Sequence, residues 1–464
     1  MSFTRRPPVW CPLLTALLFL LAACGSQPDG DPASSPEPAT PQNNLPFTPV
    51  ISGNLPPTVV VPSSVTSPEQ ARPFFDQFSW QSFLAMVWPS NSEPRGQPID
   101  PDDAQTLKSP PEGSAPVFSS YKEAFELFGQ GDQTPTVWAS YDVPVSPCSN
   151  SAYAFGNKTM VMASKSGTLL DEVNEAFSFP LIDQQVNYAH SEVRFNEVQY
   201  TFIRDNAYYL VQNLAAAQPI VMPIDNLGSL MVKVTWRIMT PNDDQSRYYT
   251  TQALLLNPDN NECEPARVGL VGMHIVRKID KFAEWIWSSF EQVDNIERGR
   301  GSTAATPISF NNGTSSPPTP SGWANRPPLV PPLLPANQRT ATQVTRVNPI
   351  PATPAGASTL DVNNAYQDLL VGTVWEFYQC IITQWPTEGQ QSKFLIKEDG
   401  GVYPADCGQP FPVDGCTNVA METYLQTAAD AAGTVGGANG NSCMGCHYGA
   451  GQSDFSWVLQ NRAH

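Results

Sequence analysis

The chain is poor in histidine, in basic residues and in long apolar runs, and each shortage removes a class of function. Its 464 residues include four histidines, His190, His274, His447 and His464, scattered along the sequence. A zinc ribbon needs two ligand pairs brought together, and a single C-x-x-C with no second leaves it unsupported. Lys and Arg number 25 against 43 Asp and Glu, for a formal net charge of −18. Nucleic acid and anionic headgroups are therefore poor partners, whereas a basic partner protein would be steered towards the surface. The apolar stretch at residues 13–21 is too short for a membrane-spanning helix. There is no nucleophile elbow, P-loop, dinucleotide fingerprint or H-E-x-x-H motif.

That short stretch follows Arg5 and Arg6 and ends in Leu21-Ala22-Ala23-Cys24. Small residues before a cysteine resemble the lipobox of bacterial lipoproteins, which is cut before a cysteine that carries lipid. The resemblance implies a signal peptide at residues 1–23, lipidation at Cys24 and attachment to a membrane through that anchor. Gly25 and Ser26, with no Asp beside the cysteine, imply sorting to the outer membrane on its periplasmic side. Pro7 and Pro8 break the twin-arginine pattern, which favours the general secretory route. An ordinary cleaved signal with Cys24 incidental is the alternative. Loss of the leader removes Arg5 and Arg6 and no acid, so the mature chain is more negative by two charges.

Near the other end the chain reads Cys443-Met444-Gly445-Cys446-His447, a C-x-x-C-H run that serves as an attachment site for haem c. Two thiols at that spacing can add to the two vinyl groups of one porphyrin, and the adjoining imidazole becomes the proximal iron ligand. Export favours this reading over a redox dithiol or half a zinc site. Only seventeen residues follow His447 and none is methionine, so a complete class I cytochrome domain cannot be built downstream. The haem therefore packs against the upstream body or rides on an exposed tail, and the apolar residues 454–459 favour folding back.

A sixth iron ligand must then come from elsewhere, and His274 leads. Strand alternation puts Gly272 and His274 on one face and Met273 on the other, with Gly272 leaving room for a bulky planar group. The alternatives are that His274 is a hydrogen-bonded core residue, or that the iron keeps an open position. His190 has polar neighbours and reads as a surface residue, while His464 ends the chain.

The organisation reads as a Pro/Ser-rich tether at residues 24–73, a body at 74–298, a low-complexity linker or long loop at 299–357, and a C-terminal region at 358–464 with the attachment site. The body is expected to be α+β with a substantial antiparallel sheet. Helices are expected at residues 78–88, stopping at Pro89, and at 192–214, 362–370 and 420–429. Strands are expected at 136–138, 159–162, 230–238, 249–256, 268–277 and 285–290, with 374–385 either strand or buried helix. Glycines at 433, 436, 437 and 440 make a flexible approach to the motif. Trp80, Trp88, Trp138, Trp236, Trp285 and Trp287 read as core. Among the remaining cysteines, Cys407 and Cys416 are spaced for a local disulfide, a Cys148–Cys263 bond has no support from spacing, and Cys380 reads as a buried thiol.

Four islands, residues 78–83, 269–275, 285–295 and 442–447, together resemble bacterial monohaem cytochrome c-like proteins of uncharacterised activity. The resemblance runs from about residue 74 to the C-terminus and is specific only at the islands. It implies export and one covalent haem c, raises the rank of His274, and implies no reaction. Single-electron transfer is the leading expectation. A haem enzyme, or a peroxide- or gas-responsive protein with an open iron position, is the alternative. A structural or carbohydrate-binding lipoprotein with an auxiliary haem is a third.

Overall fold

The computed structural model describes residues 45–129, 131–142, 158–160, 173–175, 178–225, 227–257, 262–280, 282–314, 325, 336–387, 410–412, 415–426 and 442–463. The leader, Cys24, Cys148, Cys407, the glycine-rich approach and His464 lie outside these residues.

Helix α1 (Pro68–Val87) organises the body. Ser67 caps it by accepting the Gln70 N–H, Pro68 occupies its first position, and Glu69 faces the positive helix end. It stops where Trp88 turns extended ahead of Pro89, as a residue before proline prefers. Phe74, Phe75, Phe78, Trp80, Phe83, Leu84 and Val87 are all buried, which makes α1 a central helix rather than a surface one.

Beside it lies one eight-stranded sheet: β1 (Lys122–Glu123), β2 (Lys158–Met160), β3 (His190–Phe195), β4 (Leu230–Ile238), β5 (Thr250–Asn257), β6 (Glu262–Ile279), β7 (Phe282–Gln292) and β8 (Tyr378–Gln384). The order is β8-β7-β6-β4-β3-β1, with β5 antiparallel to the first half of β6 and β2 parallel to β5. All other pairings are antiparallel, so the chain folds as the expected α+β body around an antiparallel sheet. Helices α2 (Glu197–Asp205), α3 (Val211–Ala217), α4 (Thr359–Leu369), α5 (Cys443–His447) and α6 (Trp457–Arg462) complete the elements used below.

The two faces of the sheet have different work. On one, Leu230, Val232, Val234 and Trp236 of β4 join Met273 and Ile275 of β6 and Phe290 of β7 in a core with α1 and α4. A buried polar lattice fixes the rotation of α1 on that face. Ser79 Oγ lies 2.7 Å from both Ser288 Oγ and Thr383 Oγ1, and Asp76 accepts from Thr383 and Thr359 at 2.7 Å each. On the other face, Met231, Val276, Trp285 and Trp287 pack with Met444, Phe455 and Leu459 from the C-terminal segment. The tail does fold back onto the sheet.

Several expectations need correction. Residues 45–73 were expected in the tether, yet Leu45, Phe47, Ile51 and Leu55 pack on the core and α1 already begins at Pro68. The helix expected at 192–214 is a strand followed by two shorter helices, because residues 190–195 pair with β4. Thr136–Trp138 is not a strand; Tyr200 Oη donates to the Thr136 carbonyl and Trp138 Nε1 to the Arg95 carbonyl, so side chains hold this loop. Residues 420–426 form turns instead of a helix, and 427–429 lie outside the described residues. Phe310 and Val344, from the low-complexity stretch, are fully buried, so that stretch contributes to a core. His190 is 7 % exposed rather than at the surface; burial, helped by the Arg339 charge, pulls its pKa down to about 4. The tryptophans are core as expected: Trp80, Trp88, Trp236, Trp285 and Trp287 are buried and Trp138 packs against both large clusters.

Candidate functional site

The C-x-x-C-H run occupies one helical turn, α5, so Cys443 and Cys446 stand at i and i+3 and His447 at i+4 from Cys443. All three lie on one side, lining a cavity. The turn is held at its start. Ser442 accepts the Gly445 N–H with its hydroxyl at 3.1 Å and the Cys446 N–H with its carbonyl at 2.9 Å. Gln384, the last residue of β8, accepts the Met444 N–H at 2.7 Å and donates to Ser442 Oγ at 2.8 Å. Met444, the motif residue pointing away from the cavity, is 2 % exposed and anchors α5 among Trp285, Trp287 and Val276. A variable position in the motif is thus the apolar peg that fastens it to the sheet.

His447 is fixed from two sides. Its ring lies against Trp287 with centroids 4.4 Å apart, and its Nδ1 lies 2.7 Å from the Phe455 carbonyl oxygen. A carbonyl can only accept, so Nδ1 carries the proton and Nε2 carries the lone pair. Burial lowers the pKa to about 4, which keeps the ring neutral and able to ligate a metal.

The carbonyl that does this belongs to an unusual piece of backbone. Asp454 and Phe455 both have left-handed conformations, with φ of 52° and 63°. Such conformations cost roughly 1–2 kcal/mol per residue and persist only where neighbours hold them. Asp454 supplies that hold: its carboxylate meets Lys278 Nζ at 2.5 Å, the Met222 N–H at 2.6 Å and Trp285 Nε1 at 3.4 Å.

The cavity, which opens to solvent and measures about 660 Å³ with its open mouth counted and about 80 Å³ as enclosed space, lies between α5, the sheet and residues 416–425. His274, Lys233 and Trp287 reach into it from the sheet, and Glu422 and Cys416 from the facing turns. The structure therefore brings His274 to the same cavity as Cys443, Cys446 and His447. It also gives His274 a partner: Nε2 lies 2.9 and 3.1 Å from the two Glu422 carboxylate oxygens. Burial alone would raise the Glu422 carboxyl. The charge and hydrogen bond of His274, together with Lys233 and the Asn418 N–H, outweigh burial and bring it down to about 2.

Gly272 shares the face of His274 as expected, but its role differs. A methyl group there would meet Asn418 Oδ1 and Met421 Cε at 3.3 Å, so the missing side chain admits the 416–426 segment rather than a planar ligand. Met273 points into the opposite core.

Four described cysteines are thiols: Cys380, Cys416, Cys443 and Cys446. Cys380 is fully buried under α1, as expected. Cys416, whose expected partner Cys407 lies outside the described residues, sits beside the motif, with its carbonyl 3.4 Å from Cys443 Sγ. Contact with the Cys416 side chain and then burial raise the Cys443 thiol, and burial raises Cys446. Both motif cysteines are held protonated.

These residues fit a c-type haem. Two thiols and a neutral imidazole with a free Nε2 share one wall of a cavity whose other walls include Trp287, Val276 and Met231. Gln384, Glu422 and Asp454 have their partners far along the chain, and the Phe455 carbonyl is a backbone acceptor that no residue type marks, so none of the four is legible in the sequence. Ser442 was readable as a helix cap immediately before the motif. No protein-family model matches the chain, and no curated protein or solved structure shows significant similarity to it.

Proposed function

We propose that the protein is an exported, lipid-anchored monohaem c-type cytochrome that transfers single electrons in the periplasm. Cys443 and Cys446 would carry the two thioethers, His447 Nε2 the proximal iron bond, and Cys24 the lipid that holds the protein at the outer membrane. When bound, the haem supplies a one-electron iron couple. The observation that carries the reading is the pairing of His447 Nδ1 with the Phe455 carbonyl, which presents Nε2 as a ligand beside the two motif thiols. The net charge of −18 suits a basic redox partner.

A second reading has a specific observation in its favour. His274 Nε2 is engaged by Glu422, and a nitrogen so engaged reaches iron only if that bond breaks. With His274 retained by Glu422 the iron would keep an open position, as a haem enzyme or a peroxide- or gas-responsive protein requires.

One preparation tests both. Protein from a haem-maturing host, denatured and extracted with acid acetone, should keep its pigment on the polypeptide. A colourless polypeptide sinks the cytochrome reading. Carbon monoxide added to the reduced native protein should leave the low-spin bands in place if electron transfer is the role, and should shift them if the iron is open.

A further inference from the structure

The Lys278–Asp454 pair is buried on both sides, with the two side chains 4 % and 7 % exposed. Such pairs add little to stability, because desolvation offsets their attraction and apolar residues of similar size often do as well. Its position suggests another use. Asp454 precedes Phe455, whose carbonyl accepts the His447 Nδ1 proton, and both residues are left-handed, a conformation that phenylalanine rarely adopts unaided. Asp454 Oδ2 takes Lys278 Nζ from β6 and the Met222 N–H from the loop after α3, while Oδ1 takes Trp285 Nε1 from β7. Three elements thus clamp one carboxylate. The Phe455 N–H donates to the Ala450 carbonyl at 3.0 Å, which closes the turn behind it.

We infer that the Lys278–Asp454 pair positions His447: it holds the Asp454–Phe455 backbone so that the Phe455 carbonyl fixes the imidazole tautomer and leaves Nε2 facing the cavity. The inference concerns the tautomer in the protein itself; its consequence for iron rests on the haem reading above. Lys278 and Asp454 are positioning residues, and neither lines the cavity. A carbonyl acceptor on Nδ1 makes the imidazole a stronger donor to iron and favours the oxidised state, so losing the strut should favour the reduced state.

The test uses the double variant Lys278→Met/Asp454→Leu, which removes both charges at similar volume, with Asp454→Asn as a milder second variant. Nitrogen-15 NMR of the haem-free full chain reads the His447 tautomer directly. The wild type should show protonated Nδ1, and either folded variant should gain a substantial Nε2-protonated population. In haem-loaded protein at a fixed ambient potential, the ratio of reduced to oxidised form should rise about tenfold. A folded variant that keeps the wild-type tautomer overturns the inference, even if its stability changes. A wild-type chain that acquires no haem would defeat the cytochrome reading while leaving the tautomer result to judge the strut. If the double variant fails to fold, the tautomer in Asp454→Asn decides.

Discussion

Trp287 and His447 lie ring against ring, their centroids 4.4 Å apart and their planes inclined at 51°. Trp287 belongs to the middle of β7 and pairs across the sheet with Val276, so the contact joins the centre of the sheet to the C-terminal motif. The same indole is 5 % exposed and packs with Met444, the peg of α5. One side chain therefore supports the motif helix from below and the imidazole from the side.

Trp287→Ala should accordingly lower stability by about 3–5 kcal/mol, the usual cost of emptying a buried aromatic site. It should also loosen the motif selectively. Urea titration measures the first effect, and hydrogen exchange at the amides of residues 444–447 the second. A loss below about 1 kcal/mol would mean that the indole is not part of the packed core.

The alternation of Leu230, Val232, Val234 and Trp236 against Lys233 is readable from sequence because a sheet buries one side with period two, and β4 keeps that register. The segment at 192–195 alternates as well, Val193 and Phe195 against Glu192 and Arg194, but so short a run leading directly into a helix reads as part of that helix. Burial of Arg194 depends on Glu123 and Glu192, and Glu123 lies 71 residues earlier. The site divides in the same way. Cys443, Cys446 and His447 declare themselves through spacing, and strand alternation supplied the face of His274. Its bond to Glu422 spans 148 residues, and no local pattern encodes a contact at that distance.

Glu284 predicts a pH effect of definite sign. It is fully buried, and neither carboxyl oxygen has a hydrogen-bond partner among the described residues. Burial raises its pKa from 4.5 to about 8, with Lys278 and Asp454 adding smaller opposed effects. Between those pH values the unfolded chain has lost this proton and the folded chain retains it, so stability falls as pH rises. Glu284→Gln, always neutral, should match the wild type near pH 4.5 and exceed it at pH 8 by a few kcal/mol, at most about 5. Denaturant midpoints at the two pH values measure the difference. Parallel curves for the two proteins would show that Glu284 is ionised in the folded state.

The thiols should separate by burial and by neighbour. Cys443 and Cys446 are partly exposed, whereas Cys380 is 0 % exposed and its thiol is raised well above its usual range by burial. In haem-free protein an alkylating reagent should label the motif pair in the native state and Cys380 only after unfolding. Contact with Cys416 is the largest cause of the raised Cys443 thiol. Cys416→Ala should therefore speed Cys443 alkylation severalfold at mildly alkaline pH. Peptide mass spectrometry reads each site, and an unchanged Cys443 rate would show that Cys416 does not govern it.

The His274–Glu422 pair makes predictions in acid and in the spectrum. Glu422 ionises at about 2 in the folded chain against 4.5 ordinarily, so its contribution is complete above pH 4.5 and is lost as pH falls towards 2. That contribution is no more than about 3 kcal/mol, less whatever solvent screens at side chains that are 13 % and 18 % exposed. Glu422→Gln should flatten the fall in stability across that interval. The same variant removes the carboxylate that engages Nε2 and leaves His274 free to approach iron. If the second reading of the site holds, haem-loaded Glu422→Gln should gain low-spin character and lose carbon monoxide binding relative to the wild type. His274→Ala should then restore the open, ligand-binding form. If His274 is already the sixth ligand, the order reverses: the wild type is low-spin, His274→Ala turns high-spin, and Glu422→Gln changes little. A spectrum indifferent to both substitutions removes His274 from the iron altogether and confines the pair to the acid stability of the fold.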